Sequence, residues 1–350
     1  MNSLIKKILF VGDLNDYCRS YQRYRALINL GYQVFGLSHT PVPYRPGIDS
    51  KPNLFSRAMW KLSLPLDTTG INKKIREILK KEGLDIVWFD KCLTIRPNTL
   101  KFIKEISPKT KLVFSSEDDM YAKHNQSFWY LKGLPYYDII FTTKTYNLKE
   151  LKSLCAKRTE LFLDAYDEKL HRPIELTEEE KQRFSADVGF IGGFEDDRAA
   201  KMLYLAKRGV KIIVWGSGWK NWIGKHPNLI VKNQPLYYEN YAKAICATKI
   251  NLCFLRKINR DEITSRSVEI PACGGFMLAE RTRRHLELFE DGKEAIFFSS
   301  NEELLDLVKK YLSCEKGRKT IARAGREKIL KSGREHKEQL KKMLSIIENL

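Results

Sequence analysis

The run Lys7-Ile8-Leu9-Phe10-Val11, closed by Gly12-Asp13-Leu14-Asn15, decides how this chain is read. It is short, apolar without alternation, and stopped by a glycine, which is the pattern of a strand buried on both faces. A helical pattern over residues 19–30 and a second strand-like run at 32–36 complete a βαβ unit. The grammar continues with strands expected at 85–89, 111–115 and 138–142 and helices near 71–81, 98–106 and 146–154. Such alternation predicts a parallel sheet covered by helices on both faces.

Between about residues 164 and 186 the pattern lapses into a polar stretch containing His171-Arg172-Pro173 and Glu178-Glu179-Glu180-Lys181. A second βαβ series then opens at 187–191 and continues at 211–215, 229–231, 249–254, 276–279 and 295–298. After Asn301 the sequence reads as helices. The expected organisation is therefore a first domain over 1–172, a second over 173–325, and a C-terminal helix over 326–350 that returns to the first. Leu340, Met343, Leu344 and Ile347 give that last helix an apolar face.

Length and composition agree with two such domains. The chain has 350 residues, 43% of them hydrophobic and 30% charged, which excludes disordered and disulfide-framework classes. Its seven cysteines contain no C-x-x-C pair, so no zinc or redox site is indicated. The apolar stretch at 4–11 is too short and interrupted for a signal peptide, and no run approaches a membrane span. The expected location is cytoplasmic, or peripheral at the inner face of the cell membrane.

Lys and Arg number 62 against 43 Asp and Glu, a formal charge of +19. Nucleic acid, an anionic membrane surface and phosphate-bearing small molecules are all compatible with that excess, as is a solvated basic surface. No zinc-finger, RRM or helix-turn-helix pattern supports nucleic acid. Residues 315–350 carry a local excess of six positive charges, enough for weak attachment to an anionic leaflet.

Open α/β sheets bind ligands beyond the carboxyl ends of their strands, so the loops after the first strand of each half are the first places to search. Gly12, with Asp13 and Asn15 beyond it, is either a ligand approach or a tight turn. Gly192-Gly193 occupies the corresponding place in the second half and precedes a helix bearing Arg198, a combination suited to a diphosphate. Trp215-Gly216-Ser217-Gly218-Trp219 closes the next strand and reads equally as a base or ribose pocket or as a turn between core tryptophans. Walker A and G-x-G-x-x-G patterns are absent, which weakens ATPase and dinucleotide readings.

The segment from Leu255 to Glu280, with the phrase Arg266-Ser267-Val268-Glu269-Ile270-Pro271-Ala272-Cys273-Gly274-Gly275-Phe276-Met277-Leu278-Ala279-Glu280, resembles the donor-site segment of CgeB-like glycosyltransferases, relatives of glycosyltransferase family 4. Val11-Gly12-Asp13-Leu14-Asn15, Glu117-Asp118-Asp119-Met120, and Tyr166-Asp167 with His171-Arg172-Pro173 agree with it. The resemblance implies GT-B architecture: α/β, two Rossmann-like doubly wound domains facing a cleft, with C-terminal helices. It implies transfer of a sugar from a nucleotide-diphosphate sugar, UDP- or GDP-linked, to a glycan, lipid-linked or protein acceptor, with retention of configuration.

Asp261 and Glu269 have the spacing of that family's E-x7-E motif, with Asp in place of the first Glu and Glu262 as an alternative register. By the resemblance, Glu269 takes the ribose hydroxyls and Asp261 the donor sugar. Thr264, Ser265 and Arg266 lie under the diphosphate, with Arg198 and Lys257 adding charge. The acceptor side would fall to the first domain, where Asp118, Asp119 and His124 follow a strand and offer groups able to orient or deprotonate an acceptor. Asp118-Asp119 and Asp196-Asp197 are adjacent pairs and no D-x-D occurs, so neither a metal nor another cofactor is required by the sequence. Two other readings compete: a basic nucleic-acid-binding protein, and a non-catalytic binding module on the same fold.

Overall fold

The computed structural model describes residues 6–44 and 53–350. Leu4 and Ile5 of the opening apolar run lie outside the described residues. The chain divides into two compact units, Met1–Leu163 with His336–Leu350, and Asp164–Glu335. The division thus falls at Leu163/Asp164, against the 172/173 read from the sequence. The segment that rejoins the first unit begins at His336, against the expected 326.

The first unit holds β1 (Lys7–Gly12), β2 (Gln33–Ser38), β3 (Ile86–Asp90), β4 (Lys111–Ser116), β5 (Ile139–Thr142) and β6 (Thr159–Leu161). They form one sheet in the order β2-β1-β3-β4-β5-β6, every pair parallel. Alternate residues of the strands feed two cores. Leu9, Val11, Val87, Phe89, Leu112 and Phe114 pack on one face with Ile71, Ile75 and Leu79 of the helix Ile71–Lys81. Ile8, Phe10, Trp88, Val113 and Phe141 pack on the other with Ala26 and Leu27, and with Leu340, Met343, Leu344 and Ile347 of the helix His336–Glu348. The apolar face of the last helix is therefore a wall of this core.

The second unit holds β7 (Ala186–Ile191), β8 (Ile212–Trp215), β9 (Leu229–Val231), β10 (Thr248–Cys253), β11 (Met277–Glu280) and β12 (Ile296–Phe298). Their order, β12-β11-β10-β7-β8-β9, is the doubly wound order of a dinucleotide-type sheet, again with every pair parallel. The topological switch lies between β7 and β10. The loops after those two strands carry Gly192-Gly193 and Arg256-Lys257. In the first unit the corresponding switch lies between β1 and β3, which end at Gly12 and Asp90.

Several elements are not named by the sequence reading, three of them for plain physical reasons. β6 is three residues long and carries no periodic signal. The polar stretch at 178–181 is a helix, Glu178–Phe184, started by a capping box in which Thr177 and Glu180 satisfy each other's backbone donors. The helix Leu54–Lys61 buries none of its residues, so it has no core face to announce it.

Candidate functional site

At the second unit's switch point, Arg198 sits in the helix Asp196–Ala206 and is only 2% exposed. Its Nη1 donates to the Gly193 carbonyl at 3.2 Å, while Nε and Nη2 are buried without a hydrogen-bond partner. Glu195 approaches Nη2 only to 3.9 Å. Arg266 lies beside it: both guanidinium carbons stand 5.6 Å from the Phe190 ring centroid. Burial, and then the neighbouring Arg266 charge, lower the Arg198 pKa to about 10. Arg198 remains cationic at neutral pH, with two donors held in reserve. A buried group in that state is expensive unless an anion completes it.

Gly192 is required by this arrangement. A Cβ there would meet the Phe190 ring at 2.7 Å and Arg266 Nη1 at 3.3 Å. Gly216 serves the same loop from below. Its φ of +148° and a would-be Cβ 1.9 Å from the Gly192 carbonyl oxygen leave room for glycine alone. That carbonyl accepts from Trp219 Nε1 at 2.9 Å, and Phe194 N donates to Ser217 O at 3.0 Å. The Gly216-Ser217-Gly218 turn thus braces the Gly192 loop with its backbone, and the Ser217 side chain is exposed.

Further charges surround the arginines. Arg256 Nε donates to Glu195 Oε1 at 2.7 Å. Glu280, at the end of β11, accepts from Leu255 N at 2.9 Å and lies 3.5 Å from Lys201 Nζ and 3.7 Å from Lys257 Nζ. Lys257 is exposed. Asp261 is half-buried and closes its turn through Arg256 N, 3.4 Å from Oδ2.

Glu269 lies in the helix Arg266–Ala272 and is 4% exposed. Its Oε2 accepts from Tyr241 OH at 2.7 Å, and His171 Nε2 stands 3.9 Å from Oε1. Burial, followed by the Glu269 charge, raises the Tyr241 pKa well above its ordinary value, so the phenol stays a donor. Asp167 N donates to His171 Nδ1 at 2.9 Å, which leaves the His171 proton on Nε2, facing the carboxylate.

The start of that helix is held by a side chain the sequence reading passed over. His285 is fully buried; its Nδ1 lies 2.7 Å from the Glu280 carbonyl and must donate to it, so Nε2 accepts from Ser267 Oγ at 2.8 Å. Thr264 N donates in turn to Ser267 Oγ at 3.2 Å. Burial lowers the His285 pKa to about 4, keeping this neutral tautomer. Ser265 and Thr264 supply backbone carbonyls to the first turn, and Thr264 Oγ1 is buried without a partner. The second unit therefore gathers Gly192, Gly193, Arg198 and Arg266 at one strand end, braced by Gly216. Thr264 and Ser265 directly precede Arg266, and Glu269 lies in the helix that Arg266 begins.

The first unit's expected residues are engaged differently. Asp13 Oδ1 accepts from Asn15 N at 3.1 Å, Asn15 Nδ2 at 2.8 Å and Thr40 Oγ1 at 2.8 Å. Asn15 also bonds Pro41 O at 3.0 Å and Tyr44 N at 2.7 Å, so the pair latches the Gly12 loop to the loop after β2. Asp118 is paired with Lys91. His124 is exposed and bonds its neighbour Asn125 at 3.1 Å. Asp119 is fully buried, and its Oδ1 accepts from Asn147 Nδ2 at 2.8 Å and Tyr121 N at 3.2 Å, bonds that fix its own loop.

Beneath these loops lies a buried ionic network that had no sequence signal. Arg23 donates through Nε and Nη2 to Asp90, at 2.9 and 3.2 Å, and through Nη1 to Glu117 at 2.6 Å. Arg19 completes Glu117 at 3.0 Å. Burial works against the Glu117 charge, but Arg19 and Arg23 outweigh it and hold the carboxyl at about 2.

Among the described residues, no group of three His, Cys, Asp or Glu side chains is placed to hold a metal ion. No helix among them is long and apolar enough to cross a membrane.

With this geometry in place, comparison with known proteins defines the class. Residues 198–344 match a family described as glycosyl transferase-like. Sucrose-phosphate synthase from Thermosynechococcus elongatus superposes with a TM-score of 0.69 at 11% identity, covering 98% of each chain. Anabaena HepE, solved with UDP and glucose, gives 0.65 at 12% identity over 99% of this chain and 100% of its own. An α,α-trehalose-phosphate synthase from Burkholderia vietnamiensis gives 0.65 at 8% identity over 99% and 100%. A search of curated proteins finds no match. The fold class read from the sequence, GT-B with its two Rossmann-like units and C-terminal helices, is borne out. So is the enzyme class, a glycosyltransferase, through the family match.

Proposed function

We propose that the Asp164–Glu335 unit binds a nucleoside-diphosphate sugar and that the enzyme transfers its glycosyl group to an acceptor taken by the other unit. The observation that carries this reading is the buried, partly unsatisfied Arg198 beside Arg266 at a topological switch point. Breaking a sugar to diphosphate bond develops negative charge on the leaving oxygen. Cations already fixed by Phe190, Gly193 and Phe254 would meet that charge without reorganising. In this reading the arginines and Lys257 do the work a divalent cation does elsewhere, and transfer is metal-independent. Glu269, oriented by Tyr241 and His171, takes the ribose hydroxyls, while Asp261 or Glu262 faces the sugar. Retention of configuration is carried over from the resemblance to family 4 relatives. HepE's complexes with UDP and UDP-glucose support a uridine donor as the first to test.

The test is calorimetric titration with UDP and GDP. One of the two is expected to bind, and Glu269→Gln to weaken it about 10- to 100-fold, the equivalent of one or two hydrogen bonds to a charged group. Absence of binding by every nucleoside diphosphate would overturn the proposal.

A further inference from the structure

The helix Leu54–Lys61 is turned inside out relative to the other helices of its unit. None of its residues is buried; Leu54 is 79% exposed, Phe55 65%, Trp60 55%, and Leu62, which caps it, 66%. Positions 54, 58 and 62 repeat every fourth residue and Phe55 lies beside them, so Leu54, Phe55, Ala58 and Leu62 form one exposed apolar stripe. Ser56 and Met59, on the adjoining side, are the residues partly covered by the unit. An ordinary surface helix would be rotated the other way.

The stripe continues onto a neighbouring element. Phe128 N donates to Ser63 O at 2.7 Å, and Phe128 and Leu131 of the helix Phe128–Gly133 are themselves exposed. Lys132 Nζ stands 5.9 Å from the Phe128 ring. Exposed apolar groups of this extent in one place mark an interaction surface.

Charge selects the occupant. Arg57 and Lys61 border the stripe along one edge, both are exposed, and neither has an ion-pair partner among the described residues. No acidic residue occurs between Lys51 and Leu66. An apolar stripe bordered by unneutralised cations is the composition of a helix lying in the headgroup region of an anionic bilayer. The basic C-terminal helices lack this combination. Several of their lysines are spent on neighbouring carboxylates, as in Lys319 with Glu315 and Lys341 with Glu338.

We infer that the helix Leu54–Lys61, with Leu62, Phe128 and Leu131, is a docking surface by which the first unit rests on an anionic lipid bilayer. The apolar side chains enter the interface, and Arg57, Lys61 and Lys132 meet the lipid phosphates. This surface is independent of the donor site and stands whether or not the donor reading does.

The test is flotation of the full chain with vesicles of neutral phosphatidylcholine, and with vesicles containing about one third phosphatidylglycerol. Anionic vesicles are expected to carry at least tenfold more protein, with amide exchange over residues 54–62 slowed on binding. Phe55→Ser with Leu62→Ser, and separately Arg57→Glu with Lys61→Glu, should each lower flotation about tenfold. These residues are exposed, so the variants should keep the wild-type melting temperature. Lys316→Glu with Arg323→Glu, on the helix Glu315–Lys331, should change it less than twofold. Equal flotation on both vesicle types, no flotation, or an equal loss with the Lys316 and Arg323 pair would overturn the inference. So would a dimer in sedimentation velocity that Phe55→Ser with Leu62→Ser dissolves, since the stripe would then be covered by a second copy.

Discussion

Each unit places an arginine in the helix that follows its first strand, and the two arginines are in opposite electrostatic states. Arg23 is buried against Asp90 and Glu117, which outweigh the desolvation of its charge and raise its pKa above the ordinary value. Arg198 is buried with one carbonyl partner and a second arginine nearby, and its pKa is lowered to about 10. The helix after the first strand thus carries a closed ion network in one unit and a buried, unneutralised cation in the other. A satisfied buried charge organises the fold around it, whereas an unsatisfied one is a place prepared for a ligand.

The comparison breaks most visibly on stability. Arg23→Met leaves Asp90 and Glu117 buried without their main partner and should cost about 3–5 kcal/mol in chemical denaturation. Arg198→Met strands no carboxylate, because Glu195 keeps Arg256, and should change stability by less than about 1 kcal/mol. Similar losses at the two positions would show that both arginines are structural.

Acid sharpens the contrast next. His285 in the second unit has a folded pKa of about 4 against an ordinary 6.5. Between those values the unfolded chain takes up a proton that the folded one refuses, so stability falls as pH drops from 6.5 to 4, by about 3 kcal/mol. Glu117, held at about 2 against 4.5, contributes stability above 4.5 that is lost as pH falls toward 2. His39 in the first unit is also lowered by burial and loses stability in the same sense below 6.5. The decisive readout is therefore the slope between pH 6.5 and 4, which His285→Gln should flatten.

The smallest effect concerns the two strand-end glycines. A methyl at Gly12 would meet Phe10 and Ser20 side chains at 3.0 and 3.1 Å, and Gly12→Ala should cost about 1 kcal/mol with donor affinity unchanged. At Gly192 it would press on Phe190 and Arg266, so Gly192→Ala should cost about 2 kcal/mol and weaken nucleotide binding several-fold.

Much of this was legible beforehand because parallel strands are buried on both faces and announce themselves as unbroken apolar runs. The runs at 7–11, 111–115 and 229–231 lie within strands, and the helix at 71–81 has its expected bounds. The Gly192, Arg198 and Arg266 constellation was legible because each residue sits next to a strand end or in a strongly patterned segment. Tyr241 and His285 were not, since one lies mid-helix and the other follows an ordinary cap, and only tertiary packing brings them to Glu269 and Ser267. The bonds of Asp119 were not legible for a related reason: an acidic pair after a strand looks the same whether its carboxylate faces solvent or caps its own loop.

The most direct test of Arg198 as a donor-binding cation is calorimetric titration of the intact chain and its Arg198→Met variant with UDP. The account expects the variant to fold normally and to bind about 10- to 100-fold more weakly, the equivalent of charged hydrogen bonds worth about 1.5–3 kcal/mol. An Arg198→Met protein that binds UDP as tightly as the wild type would contradict it.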